Sequence, residues 1–92
     1  MQFAIYCIDK PGSSELRTAT RTAHLKYVDE TAIGIVLAGP LLGDDGAMQG
    51  SLFIVEADDR AAVERFSEAD PYRRAGLFQR VEIRGFRSVF PR

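Results

Sequence analysis

Two stretches of this chain, Gln2–Asp9 and Gly50–Glu56, are apolar on both faces of a β-strand. In the first, Phe3, Ile5 and Cys7 alternate with Ala4, Tyr6 and Ile8. In the second, Leu52, Phe53, Ile54 and Val55 follow one another without a polar break. Successive side chains of a strand point to opposite faces, so strands like these belong inside a sheet covered on both sides. No other feature narrows the fold as much. A chain of 92 residues is expected to form one domain over residues 1–92. A domain this short buries only a modest share of its surface. It must still find cover for two doubly apolar strands.

The segments between them read in order. Lys10-Pro11-Gly12-Ser13 is a turn, and Ser13 or Ser14 stands where it can cap a helix. Helical spacing then runs from about Ser14 to about Ile33, with Gly34 as its stop. Ile35–Leu42 is a second strand, interrupted by Gly39-Pro40. Proline donates no backbone hydrogen bond, which predicts an edge strand or a bulge. Gly43-Asp44-Asp45-Gly46 makes a hairpin loop into the third strand. Asp58 or Asp59 caps a second helix, whose inner face is Ala62, Val63, Phe66 and Ala69. Proline is favoured at the first helical position, so Asp70 is the expected N-cap of a short turn over Pro71–Ala75, closed by Gly76. The last strand, Leu77–Phe86, is expected to turn Leu77, Gln79, Val81 and Ile83 inward and Phe78, Arg80, Glu82 and Arg84 outward. The tail Arg87–Arg92 carries Val89-Phe90-Pro91 and is expected to pack on a neighbour.

The resulting order, β-α-β-β-α-β, predicts an α+β fold of the ferredoxin-like, split βαβ type. Strands one and three are then central, as their apolarity demands. Two helices cover one face of the sheet. The other face is also apolar on the central strands and needs a partner. A homodimer with sheets face to face is expected, possible as a step to a higher homo-oligomer.

Composition removes several functions. Net charge is −1, with 12 basic and 13 acidic residues well mixed, which argues against nucleic acid as a partner. No apolar run approaches the ~18–20 residues that span a bilayer, and no signal-peptide pattern opens the chain, so no membrane partner is expected. Cys7 is the single cysteine, which excludes an internal disulfide and fits a cytoplasmic setting. Its place in a strand marks it as a small buried hydrophobe. One histidine, one cysteine and scattered carboxylates form no metal-ligand spacing, and no phosphate-cradling glycine loop precedes a helix. Neither a metal nor an organic cofactor is expected.

A helical wheel of the first helix places Glu15, Thr18, Thr22, Lys26, Asp29 and Glu30 on the water side. His24 lies near the middle of the opposite arc, with Arg17, Thr20 and Arg21 leaning the same way. A purely structural arc does not usually carry two arginines and a histidine. This stretch is therefore expected to line a polar pocket or reach its rim.

Four spaced motifs, Arg21-Thr-Ala-His24-Leu25, Ala38-Gly39-Pro40-Leu41, Gly50-Ser51-Leu52 and Asp70-Pro71-Tyr72 with Gly76 close behind, together resemble the YciI-like (YCII-related) family. The resemblance covers nearly the whole chain. It implies the dimeric α+β barrel superfamily, and chemistry of lyase or isomerase type on small, often cyclic, organic molecules. It also implies that His24 and Asp70 form a His–Asp acid–base dyad, with Arg21, Gly39, Pro40, Ser51 and Tyr72 at other signature positions.

The residue types suit such work. Imidazole titrates near neutral pH, and a carboxylate on one ring nitrogen fixes its tautomer and steadies the imidazolium. The plain reading is a half-buried core histidine beside an Asp that only caps. Arg17 and Arg21 suit binding of a carboxylate or phenolate, or a developing enolate. Their plain reading is a salt bridge. Ser51 suits donation of a hydrogen bond into a pocket, Tyr72 suits closure of it, and Gly39-Pro40 suits its wall. Two functions from different classes follow: a cofactor-independent enzyme acting on a small-molecule substrate, or a non-catalytic small-molecule-binding or structural dimer module.

Overall fold

The computed structural model describes residues 1–91. Its elements run β1 (Gln2–Asp9), α1 (Ser14–Glu30), β2 (Gly34–Leu42), β3 (Met48–Glu56), α2 (Arg60–Ala69), α3 (Pro71–Arg74) and β4 (Phe78–Phe86). The four strands form one sheet in the order β2-β3-β1-β4, every pair antiparallel. The two doubly apolar strands occupy the centre. β1 lies between β3 and β4 with Ile5 opposite both Phe53 and Ile83.

One face of the sheet carries the helices. Phe3, Ile5 and Cys7 of β1 and Phe53 and Val55 of β3 point into that layer and are buried with Val63 and Phe66 of α2. Tyr27 fastens α1 to α2: its ring stacks on Phe66 at 5.3 Å, and its hydroxyl donates to the Phe66 carbonyl at 2.7 Å. Asp59 caps α2, its side chain accepting from the Ala62 N–H at 2.9 Å. The opposite face holds Ala4, Tyr6 and Ile8 of β1, Leu52 and Ile54 of β3 and Leu37 of β2, by the register of the ladders. Tyr6, Leu37 and Phe86 are exposed.

The pairing of β1 and β3 is tight at Gly50. A Cβ there would stand 2.3 Å from the Cys7 carbonyl oxygen. The obstacle is backbone in mid-sheet, so only glycine fits. The β2–β3 hairpin closes as expected, with Gly46 at φ +85° and Asp45 accepting from the Ala47 N–H.

Three expectations shift in detail. First, α1 stops at Glu30 rather than Ile33. Thr31 is already extended, and its hydroxyl accepts from the Ile33 N–H at 3.3 Å, so Gly34 opens β2 instead of ending the helix. Second, neither Ser13 nor Ser14 caps α1 with its side chain. Ser13 occupies the cap position with backbone at φ −104°, and only its carbonyl is used, accepting from the Arg17 N–H. Third, β4 does not alternate as its sequence suggests. The register slips between Ile8 and Asp9, which pair with Arg80 and Phe78. Gln79 is the extra residue of this bulge, so Phe78 turns to the helix layer with Val81 and Ile83, while Gln79 is exposed. In the tail, Val89 is exposed; Arg92 lies outside the described residues. Among the described residues, no helix is long and apolar enough to cross a membrane.

Candidate active site

Among the described residues, the buried polar ones are Arg17, His24, Ser51, Ser67 and Asp70. They gather between α1, the end of α2, the start of α3 and the helix side of β3. Arg17 and His24 are seven residues apart, two helical turns, so they lie on one stripe of α1. Arg21 sits between them. The stripe crosses β3 where Ser51 and Phe53 point towards the helices.

Asp70 joins two elements. It ends α2 and caps α3, with Pro71 locking the first position of the new helix. Its Oδ1 accepts from the Tyr72 N–H at 2.9 Å and stands 2.8 Å from Nδ1 of His24. An oxygen already accepting from a backbone N–H offers a lone pair, so Nδ1 is assigned as the proton donor. Nε2 then carries the free lone pair of the neutral ring. The imidazole is held on its faces as well: Tyr72 stacks on it at 4.0 Å and Phe53 meets it edge-on at 5.9 Å.

Tyr72 is clasped from its other side by Arg17, whose guanidinium carbon lies 4.5 Å from the ring centre. Arg17 is itself pinned. Nε and Nη2 donate to the two carboxylate oxygens of Asp9 at 2.7 and 3.0 Å, and Nη2 donates to Ser51 Oγ at 2.9 Å. Burial works against the Arg17 charge, but the hydrogen bonds and charge of Asp9 outweigh it and raise the guanidinium's pKa. Burial likewise pushes the Tyr72 phenol up, against the pull of Arg17 and Arg21. Burial, then the negative charge of Asp70, pushes the Cys7 thiol up to about 12, so it carries no nucleophile.

A cavity of about 150 Å³ opens beside these groups. Its walls include Arg17, Arg21, His24, Gly39, Pro40, Ser51 and Tyr72, together with the apolar Leu25, Val28, Ala38, Met48 and Phe53. Every site residue named from the sequence is therefore in one place, with Asp70 behind His24 rather than on the wall. Gly39 leaves open space: a Cβ there would meet nothing within 4 Å. Arg17 lines the cavity, and its hydrogen bonds go to Asp9 and Ser51. Arg21 remains exposed on the wall, with no ion pair among the described residues. Asp9 was missed. The signal was present in the alternation Phe3, Ile5, Cys7, whose next step is Asp9, an acid on a core-facing position. Two larger depressions, of about 540 and 620 Å³, lie at the C-terminal end of α1 and along the β1–α1 turn. Neither contains a buried polar pair. No cluster of three or more His, Cys, Asp or Glu suited to a metal occurs among the described residues.

Sheet order and helix placement put the protein in the dimeric α+β barrel class of ferredoxin-like folds. Two antibiotic biosynthesis monooxygenase structures superimpose at TM-scores of 0.59 and 0.61, with 12% and 14% identity, one of them a putative member from Bacteriodes thetaiotaomicron. That likeness is one of fold alone. Within the class, the chain belongs to the YCII-related domain family, whose model matches residues 1–87. It is 35% identical over 100 aligned positions to Protein YciI of Escherichia coli O6:H1, covering 98% of this chain and 100% of that one. It is also similar to a solved structure, the 5-chloro-2-hydroxyhydroquinone dehydrochlorinase TftG of Burkholderia phenoliruptrix AC1100 in complex with 2,5-dihydroxybenzoquinone. The two share 38% identity and a TM-score of 0.88, covering 95% of this chain and 94% of that chain.

Asp70 serves two structures at once, and its removal tests this. Losing an N-cap costs about 1 kcal/mol, and stranding a buried partner costs about 1–3 kcal/mol more. Urea unfolding of Asp70→Ala is expected to show a loss of about 2–4 kcal/mol. Asp59→Ala, which removes a cap alone, is expected to lose about 1 kcal/mol. Equal losses would contradict the double role.

Proposed function

We propose that this chain is a small-molecule enzyme of lyase or isomerase type, with His24 and Asp70 as an acid–base dyad acting on a single-ring organic substrate. The observation that carries the reading is the His24–Asp70 hydrogen bond of 2.8 Å on the edge of a cavity of ring size. A cavity of about 150 Å³ is of the size known to accept one benzene ring. The similarity to TftG, a dehydrochlorinase solved with a quinone, supports the same reading.

In this mechanism Nε2 of His24 takes a proton from the substrate. Asp70, on Nδ1, holds the ring's orientation and stabilises the imidazolium that forms. The electron pair left behind moves into the ring system and expels a leaving group at the neighbouring carbon, or collects on a carbonyl oxygen borne by the ring as an enolate. Arg21, the exposed cation on the wall, offsets the developing negative charge. His24 then returns the proton to product or solvent. No cofactor enters the scheme.

The same reading includes a homodimer. Exposed Tyr6 and Leu37, with half-buried Ala4 and Leu52 beside them, form an apolar sheet face that the chain's own helices leave uncovered. A second copy, sheet against sheet, is the partner that would cover it.

Two outcomes test the proposal. In a turnover screen over halogenated and hydroxylated single-ring compounds, His24→Ala is expected to lose a factor of about 10²–10⁴ in kcat, the usual share of general acid–base catalysis. Undiminished turnover in His24→Ala would sink the mechanism. In sedimentation equilibrium, wild type is expected at twice its 10.2 kDa chain mass, and Leu37→Arg, on the exposed part of that face, at the monomer mass. A monomeric wild type would remove the dimer.

A further inference from the structure

Ser51 is a buried member of the site whose hydroxyl is only half used in hydrogen bonding. Its Oγ accepts from Arg17 Nη2 at 2.9 Å. A hydroxyl also has a proton to give, and among the described residues no acceptor receives it. The side chain is 3% exposed and lines the 150 Å³ cavity. A buried donor without an acceptor costs free energy. Here the space beside it is where an acceptor would enter.

The group that holds Ser51 is built at some expense. Asp9 is half-buried as a residue, but its side chain and that of Arg17 are only 7% and 5% exposed, and they pair through two parallel hydrogen bonds. Such a pair is weak evidence of stability, because desolvation offsets much of its attraction. Its geometry instead fixes a direction. Asp9 orients the guanidinium from one side and the Tyr72 ring supports it from another. The remaining N–H of Nη2 is thereby aimed at Ser51 Oγ. A charged donor on that oxygen polarises the hydroxyl and makes its proton a stronger donor. It also occupies one lone pair, so the proton must point elsewhere.

From this we infer that Ser51 is the hydrogen-bond donor to an oxygen of the ring substrate, a carbonyl or enolate oxygen, and that Asp9 and Arg17 are positioning residues that hold Ser51 in that role. The inference rests on the proposed single-ring substrate. It assigns Arg17 to support of the site rather than to substrate contact, and it leaves Arg21 as the cation that meets the ligand directly. The ligand class it defines is a planar ring bearing at least one acceptor oxygen.

The test is equilibrium binding of 2,5-dihydroxybenzoquinone by calorimetry, which requires no turnover. Ser51→Ala is expected to weaken binding about three- to tenfold, the worth of one net hydrogen bond. Asp9→Asn would leave the Arg17 charge buried and uncompensated, and it risks unfolding the chain. The double variant Asp9→Asn/Arg17→Gln removes both charges together and is the one to use, with thermal unfolding as the check on folding. It is expected to weaken binding by the same factor as Ser51→Ala. Added to Ser51→Ala, it is expected to cause no further loss, because positioning acts only through the hydroxyl. Additive losses would overturn the positioning role. Unchanged binding in Ser51→Ala, or no binding by wild type, would overturn the donor. His24→Ala is expected to retain the Ser51 dependence of binding while losing turnover. The failure of proton transfer and the failure of this inference are thus read separately.

Discussion

One carboxylate oxygen ties this molecule together. Oδ1 of Asp70 accepts from the backbone of Tyr72 and from the ring of His24. The first bond starts α3, and with it the turn that returns the chain to the sheet as β4. The second reaches across to α1 and fixes the only imidazole of the chain. The junction therefore ties α1 to α3, while Tyr27, Val28, Arg17 and His24 hold α1 over the sheet layer. Pro71 makes the junction stiff, since its ring sets the first backbone angle of α3.

From there the constraint passes through contact rather than through further covalent geometry. Tyr72, placed by its own N–H, lies flat on His24 and beneath Arg17. Arg17 is anchored to β1 through Asp9 and touches β3 through Ser51. Two carboxylates thus hold two cationic or basic groups, one pair on each side of a tyrosine. The pairs differ in what they leave available. The Asp9–Arg17 pair directs its hydrogen bonds inward. The Asp70–His24 pair leaves Nε2 free. That difference is why the second pair suits proton transfer and the first suits support.

Much of this was legible in the sequence because it rests on local rules. Apolarity on both faces placed β1 and β3 in the centre without any reference to pairing. The wheel of α1 put His24 and Arg17 inward, and Pro71 marked Asp70 as a cap. What escaped depended on pairing across the sheet. The bulge at Gln79 inverts Phe78 relative to its neighbours, and nothing in the strand's own alternation announces it, because the slip is measured against β1. Asp9 escaped for a related reason. A carboxylate at a strand's end reads as solvated until a partner one turn into the next helix is seen to reach it. The early end of α1 follows from Thr31, whose extended backbone and own hydroxyl bond to Ile33 compete with another helical turn.

Proton transfer at this site depends most on which nitrogen of His24 holds the proton. With a single histidine in the chain, long-range proton–nitrogen NMR on the neutral ring reads the tautomer without ambiguity. Nδ1 is expected to resonate as the protonated nitrogen and Nε2 as the bare one, with the distinction lost in Asp70→Ala. A ring protonated at Nε2 in the wild type would place no base at the cavity and would contradict the account.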